Sequence, residues 1–262
     1  MRLATFIAPG SDVPVGGEVR GDAVVAFGDG STVLDRLASG DRTPASGAER
    51  ALADVRLLAP VPRPPAIFCI GRNYGAHIAE MGSDAPAKPL VFLKLGPSSV
   101  APNDPVDPPA AARGKLDYEG ELAVVIGAGG AVAGYAVAND LSARDLQGSE
   151  QQWSRAKGFD ASCPWGPWIT TADEVADPGA LGLRTWVNGE QRQDASTKDL
   201  IFPVERLVSF IGETCALEPG ALVLTGTPSG VGHAMDPPRY LASGDIVRIE
   251  VDELGAIEHR IV

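Results

Sequence analysis

From residue 66 onward the chain is a series of short apolar runs separated by glycine, proline, aspartate and asparagine. Ala66–Ile70, Leu90–Leu95, Leu122–Ile126, Val132–Ala138, Leu183–Val187, Ala221–Thr225 and Ile246–Val251 are apolar or alternating and bounded by turn formers. That pattern predicts strands. Helical spacing is confined to Ala76–Met81, Ser142–Trp153 and Val204–Ile211. Strand and helix do not alternate regularly, which argues against a doubly wound sheet and for a β-rich α+β fold. No internal repeat is present.

The first 60 residues read differently. Short apolar runs such as Ala23–Phe27 lie between the turn signals Gly21-Asp22 and Gly28-Asp29, Gly40–Glu49 is small and polar, and Arg50–Leu58 reads as one helix. Pro60, Pro62, Pro64 and Pro65 then form a stiff linker. The expectation is a small N-terminal α/β domain over 1–60 and a larger domain over 61–262. One uncharged run, Leu122–Asn139, approaches the length of a membrane span. Its glycines at 127, 129, 130 and 134 favour two strands around a turn instead.

Composition narrows the function classes. The chain has 262 residues, 31 Gly, 22 Pro and a net charge of −12, with a pI near 4.7. A field of that sign disfavours nucleic-acid backbones and anionic membrane surfaces. Cys69, Cys163 and Cys215 are far apart and form no CxxC, which fits a reducing cytoplasmic compartment rather than a disulfide or zinc framework. The N-terminus lacks the long apolar region of a secretory signal.

The nucleotide and serine-hydrolase motifs fail. Gly127-Ala-Gly129-Gly-Ala-Val132 has valine where a dinucleotide fingerprint needs its third glycine, and Gly226–Gly232 has no Lys-Ser/Thr to close a P-loop. There is no G-x-S-x-G elbow and no HExxH, and three histidines make a multi-histidine metal site improbable.

The carboxylates say more. In Asp117-Tyr-Glu-Gly-Glu121, Glu119 and Glu121 fall on one side of a strand, roughly 7 Å apart along the chain. If Leu122–Ala138 is a hairpin turning near Gly130, pairing Glu121 with Asp140 brings a third carboxylate beside them. Three carboxylates without His or Cys suit Mg²⁺, Mn²⁺ or Ca²⁺. The plainer alternative is an exposed strand end before a helix, with Ser142-Ala-Arg-Asp145 as its capping box. His77 and Glu80 share a face of a turn flanked by Gly75 and Gly82, either as an oriented base on a movable lid or as an ordinary surface pair. Lys157, Arg144 and Gln147 are either ligands for a substrate carboxylate or solvated side chains. The loop Thr225–Gly232 is either an anion cradle or a tight turn.

Together these segments resemble the fumarylacetoacetate hydrolase family. The matching blocks are Ile70-Gly-Arg-Asn-Tyr74, His77-Ile-Ala-Glu80, Lys88–Lys94, Asp117–Gly127, Ala138–Gln147, Lys157-Gly-Phe-Asp160, Val187-Asn-Gly189 and Leu224–Gly232, in the family's order over about 64–262. The resemblance implies a mixed β-sandwich or β-roll catalytic domain, usually in a homodimer. It implies Glu119, Glu121 and Asp140 as ligands of Mg²⁺ (or Mn²⁺, with Ca²⁺ as a further option). His77 and Glu80 would be the lid dyad, Lys157 the lysine facing the substrate, and Arg72, Tyr74, Arg144, Gln147 and Thr227 pocket residues. Two departures stand out: Gly127–Gly134 is shorter than in many relatives, and Cys163–Trp168 reads as an aromatic loop that narrows the pocket.

The implied activity is metal-dependent cleavage of a C–C bond in a small anionic 2-oxo acid. The types are acylpyruvate or fumarylpyruvate hydrolase and oxaloacetate decarboxylase. The alternatives are a 2-hydroxyhepta-2,4-diene-1,7-dioate isomerase and, in another class, a non-enzymatic cation-stabilised binding module.

Overall fold

Leu122, Val124 and Ile126 point into one apolar core, while Ala123 and Val125 point into another on the opposite side of the same strand. A strand covered on both faces has no solvent side, so it needs no polar alternation. That accounts for the uncharged run. In the computed structural model, which describes residues 1–262, this strand extends over Gly120–Ile126 and pairs antiparallel with Val132–Asn139.

Both belong to a 12-stranded mixed sheet. Its order runs Glu49–Ala51, Ala23–Ala26, Pro14–Arg20, Arg2–Ile7, Cys163–Thr171, Val132–Asn139, Gly120–Ile126, Leu222–Leu224, Ile67–Gly71, Leu90–Lys94. Two pairings are parallel: Leu222–Leu224 with Ile67–Gly71, and Ser99–Val100 with Cys163–Thr171. A 4-stranded antiparallel sheet, Glu190–Ser196, Gly182–Val187, Ile246–Val251 and Gly255–Arg260, packs over one face. Leu183, Val247 and Ile257 from that sheet meet Leu122, Val124 and Val137 in the larger core. On the other face, Val33 and Leu37 of the helix Val33–Ser39 join the second core. That helix starts at a capping box in which Thr32 and Asp35 satisfy each other's backbone N–H groups.

The β-rich α+β reading holds, and the mixed sheet under a second sheet is the architecture the resemblance implies. The N-terminal strands join the large sheet through Arg2–Ile7, which pairs with Cys163–Thr171. No helix is long and apolar enough to cross a membrane.

Four local expectations are corrected. Arg50–Leu58 is not a helix: Glu49–Ala51 adds an edge strand to Ala23–Ala26, followed by a 3₁₀ turn and Arg56–Leu57. The open edge of the neighbouring strand outweighs local helical propensity. Ser142–Trp153 is not continuous: Ser142–Ala143 pairs with Leu116–Asp117, and the short helices Arg144–Ser149 and Ser154–Lys157 follow. The Ser142–Asp145 capping box does not form, because the Ser142 hydroxyl donates to the Asp140 carbonyl at 3.0 Å. Cys163–Thr171 is a central strand rather than a loop. Its prolines at 164 and 167 disguise it, and they are tolerated where it pairs with a two-residue parallel strand and where the register shifts. Trp165 is fully buried in the second core, so it does not narrow any cleft.

Candidate active site

Two strands and one turn bring three carboxylates together. Glu121 stands opposite Ala138 rather than Asp140, because the turn is taken through the 3₁₀ segment Ala128–Gly130 with a bulge after Val125. The offset does not separate the acids. The Asp140 N–H donates to the Glu119 carbonyl at 2.9 Å, and one ligand oxygen from each of Glu119, Glu121 and Asp140 lies within 4.8 Å of the others. All three residues are buried.

Burying three carboxylates is costly unless their charge is met. Lys157 Nζ bridges Glu119 Oε2 at 2.7 Å and Asp140 Oδ2 at 2.9 Å. Arg144 stands 2.7 Å from Glu119 Oε1 and donates through Nε to Asp117 at 2.8 Å. Lys94 lies 2.7 Å from Asp140 Oδ1. Burial alone would push the Glu119 carboxyl up, but Lys157, Arg144 and His77 hold it down at about 2. Glu121 goes the other way. Burial, Asp140 and Glu119 push it well above the usual carboxylate range, and its one hydrogen bond comes from the Gly226 N–H at 2.6 Å.

A divalent cation fits this donor set. Glu121 touches no cation of the chain, and Asp140 Oδ1 receives no directed hydrogen bond although Lys94 is close. The Lys94 N–H groups are aimed at the Leu141, Lys157 and Ser162 carbonyls. All-oxygen carboxylate ligands are those of Mg²⁺, Mn²⁺ and Ca²⁺.

Beside the carboxylates is a cleft of about 320 Å³. Glu119, Lys157, Arg144, Gln147, Thr227, Arg72 and His77 line it. His77 is on the helix Gly75–Glu80, where the i, i+3 spacing sets its Nδ1 2.7 Å from Glu80 Oε1. The second Glu80 oxygen accepts the Gly230 N–H at 2.9 Å. Gln147 accepts from Arg144 at 2.9 Å. The Thr227 hydroxyl donates to the Gly120 carbonyl at 3.0 Å and accepts from Gln193 at 2.8 Å. Arg72 adopts a left-handed backbone with φ of 59° and pairs with no carboxylate of the chain. Tyr74 is placed differently: it is fully buried, its hydroxyl has no partner, and it does not line the cleft.

Several residues of the site were not anticipated. Lys94 sits in phase with cleft-lining Phe92 at the end of an otherwise apolar strand, and that phase was the available signal. Asp117 precedes Glu119 by two residues and anchors Arg144 and the Gly232 and His233 N–H groups at 2.8 and 3.0 Å. Gly226 and Gly230 belong to the Thr225–Gly232 loop offered as an anion cradle, and the anions their N–H groups hold are the chain's own Glu121 and Glu80 carboxylates. Trp153 and His233, which also line the cleft, arrive by tertiary packing.

Comparison with known proteins gives concordant results. The family described as "Fumarylacetoacetate (FAA) hydrolase C-terminal" matches residues 66–262. The chain is 42% identical over 222 residues to "Oxaloacetate tautomerase fahd2, mitochondrial" of Xenopus laevis, covering 80% of this chain and 69% of the relative. It is 41% identical over 223 residues to "Oxaloacetate tautomerase YisK" of Bacillus subtilis (strain 168), covering 80% and 74%. The crystal structure of 2-hydroxyhepta-2,4-diene-1,7-dioate isomerase from Mycobacterium marinum superposes with a TM-score of 0.82 at 36% identity, over 100% of this chain and 98% of that one.

Proposed function

Since the chain belongs to the fumarylacetoacetate hydrolase family, we propose that it is a divalent-metal-dependent enzyme for keto–enol interconversion of a short 2-oxo dicarboxylic acid of the oxaloacetate kind. One observation carries the reading: His77, held 2.7 Å from Glu80, lines the same cleft as Glu119 of the buried carboxylate cluster. The two relatives named as oxaloacetate tautomerases support the substrate class.

Glu119, Glu121 and Asp140 would hold the metal. When bound, the ion supplies a Lewis acid for the negative charge that builds on the 2-oxo oxygen. His77 does the proton work. Its Nδ1 is tied to Glu80, so Nε2 is the atom left to take a proton from the carbon beside the ketone and pass it to the 2-oxo oxygen, or to carry it the other way from enol to ketone. Glu80, fixed through its second oxygen by Gly230, stabilises the imidazolium formed in between. Lys157 has two of its three N–H groups on carboxylates and offers the third to substrate oxygen. Arg72 is the cleft cation with no carboxylate partner and so the one free to take a substrate carboxylate.

A second reading uses the same pair to deprotonate water, giving hydrolytic cleavage of an acylpyruvate. Decarboxylation of oxaloacetate draws on the same enolate without attacking water. The discriminating experiment follows enol-oxaloacetate by ultraviolet absorbance with Mg²⁺ and then with EDTA, assaying pyruvate in parallel. Metal-dependent enol decay without pyruvate, slowed at least about 100-fold by His77→Ala, is the expected result. Stoichiometric pyruvate selects decarboxylation. Absence of any metal-dependent change rejects oxaloacetate chemistry, and acylpyruvates are then tested. A chain that turns over neither substrate leaves the 2-hydroxyhepta-2,4-diene-1,7-dioate isomerase and the non-enzymatic binding module, which turnover of that diene-dioate then separates.

A further inference from the structure

We infer that Tyr118 is a positioning residue for the His77–Glu80 pair, acting through the backbone of Gly230. The inference rests on the reading of that pair as the acid–base group, and goes beyond it by naming what holds the pair in place.

Tyr118 lies between Asp117 and Glu119, and its ring is fully buried. The hydroxyl donates to the Gly230 carbonyl at 2.8 Å. The Gly230 N–H donates in turn to Glu80 Oε2 at 2.9 Å, and Glu80 Oε1 meets His77 Nδ1 at 2.7 Å. A continuous chain of contacts therefore links the segment leading into Glu119 to the imidazole across the cleft.

Gly230 is the weak point of that chain. Its φ is +102°, and a Cβ there would stand 1.9 Å from the Arg192 carbonyl oxygen, so the position admits only glycine. Glycine is also the residue with the widest backbone freedom, and its orientation has to be imposed from outside. Two residues on, Asp117 imposes it by accepting the Gly232 and His233 N–H groups. At Gly230 itself the restraint on the carbonyl side is the Tyr118 hydroxyl. Without it the peptide plane after Gly230 loses its anchor, and the Cα that joins it to the preceding plane, whose N–H docks Glu80, is held less firmly.

The test is Tyr118→Phe in the full-length, Mg²⁺-loaded protein, which keeps the ring and removes one hydroxyl. Residue-level amide hydrogen exchange is measured at Gly230 and Gly232, alongside kcat and KM for enol-oxaloacetate and the Mg²⁺ affinity. Loss of one hydrogen bond predicts about fivefold faster exchange at Gly230, no change at Gly232, and a similar fall in kcat with KM and Mg²⁺ affinity unchanged. Glu80→Ala should expose the Gly230 amide by itself, with no further gain from adding Tyr118→Phe. Unchanged protection at Gly230, equal loss at Gly230 and Gly232, or an exposed Gly230 amide with normal kcat would each overturn the inference. If the wild type does not turn over enol-oxaloacetate, the proposed function fails, while exchange at Gly230 in the two variants still decides the coupling.

Discussion

Replacing Lys94 by methionine removes a buried ammonium group while keeping most of the side-chain volume. The Lys94 side chain is 0% exposed and its Nζ lies 2.7 Å from Asp140 Oδ1. Nζ also bonds the carbonyls of Leu141 at 3.1 Å and Ser162 at 2.9 Å, the Ser162 hydroxyl at 3.0 Å, and the Lys157 carbonyl. Most of these groups have a second partner. The Lys157 carbonyl keeps the Ser162 hydroxyl at 2.7 Å, the Ser162 carbonyl keeps the Leu141 N–H at 3.0 Å, and Asp140 keeps Lys157 at 2.9 Å.

What is lost is one partner of a buried ion pair and the lysine bond to the Leu141 carbonyl. Breaking a buried pair costs about 3–5 kcal/mol. The remaining partners put this case near the low end, about 3 kcal/mol, or roughly 6–12 °C in Tm for a chain of this size. Urea unfolding in EDTA measures it without linkage to bound metal. Divalent-ion affinity should move the other way, because the departing cation no longer competes at Asp140. A stability loss under about 1 kcal/mol, or weaker Mg²⁺ binding by Lys94→Met, would refute this reasoning.

Two further outcomes follow from the packing. Burial lowers the His259 pKa to about 3, so from the usual value near 6.5 down to 3 the unfolded chain binds a proton that the folded chain refuses. Stability should therefore fall as pH drops below 6.5, by up to about 1.4 kcal/mol per pH unit from this one group. His259→Gln, which keeps an acceptor for the Asn139 amide, should flatten that limb between about pH 6.5 and 5 in urea melts; identical limbs in the two proteins would contradict the assignment. Gly120→Ala would place a Cβ 2.3 Å from Thr185 Oγ1, between the two sheets and next to both glutamates. It should cost about 1–3 kcal/mol, largely restored by adding Thr185→Ala; a neutral single variant in thermal melts would show that the sheets can part there freely.

Much of the site was legible in the chain because its signals are local. Glu119 and Glu121 share a strand face by two-residue periodicity, and His77 and Glu80 share a helical face by i, i+3 spacing. The predicted strands after residue 66 recur in the structure within a residue or two at most ends, because apolar runs bounded by turn formers have few other ways to bury themselves. The failures were also local. Pro164 and Pro167 hid a central strand whose pairing is supplied by residues far away in sequence, and Arg50–Leu58 answered to an exposed strand edge rather than to its own propensity.

Other features were decided by tertiary structure alone. The bulge after Val125 chose the register that sets Asp140 opposite Glu119. The N-terminal strands entered the large sheet through a pairing between Leu3 and Ile169. Lys94, Asp117 and Gly230 acquired their roles from partners at sequence separations of 27 to 150 residues. Chain periodicity specifies which face a side chain takes within its own element. Where that face ends up, and which charge or N–H it meets there, is settled by non-local pairing and by the cost of leaving buried polar groups unmatched.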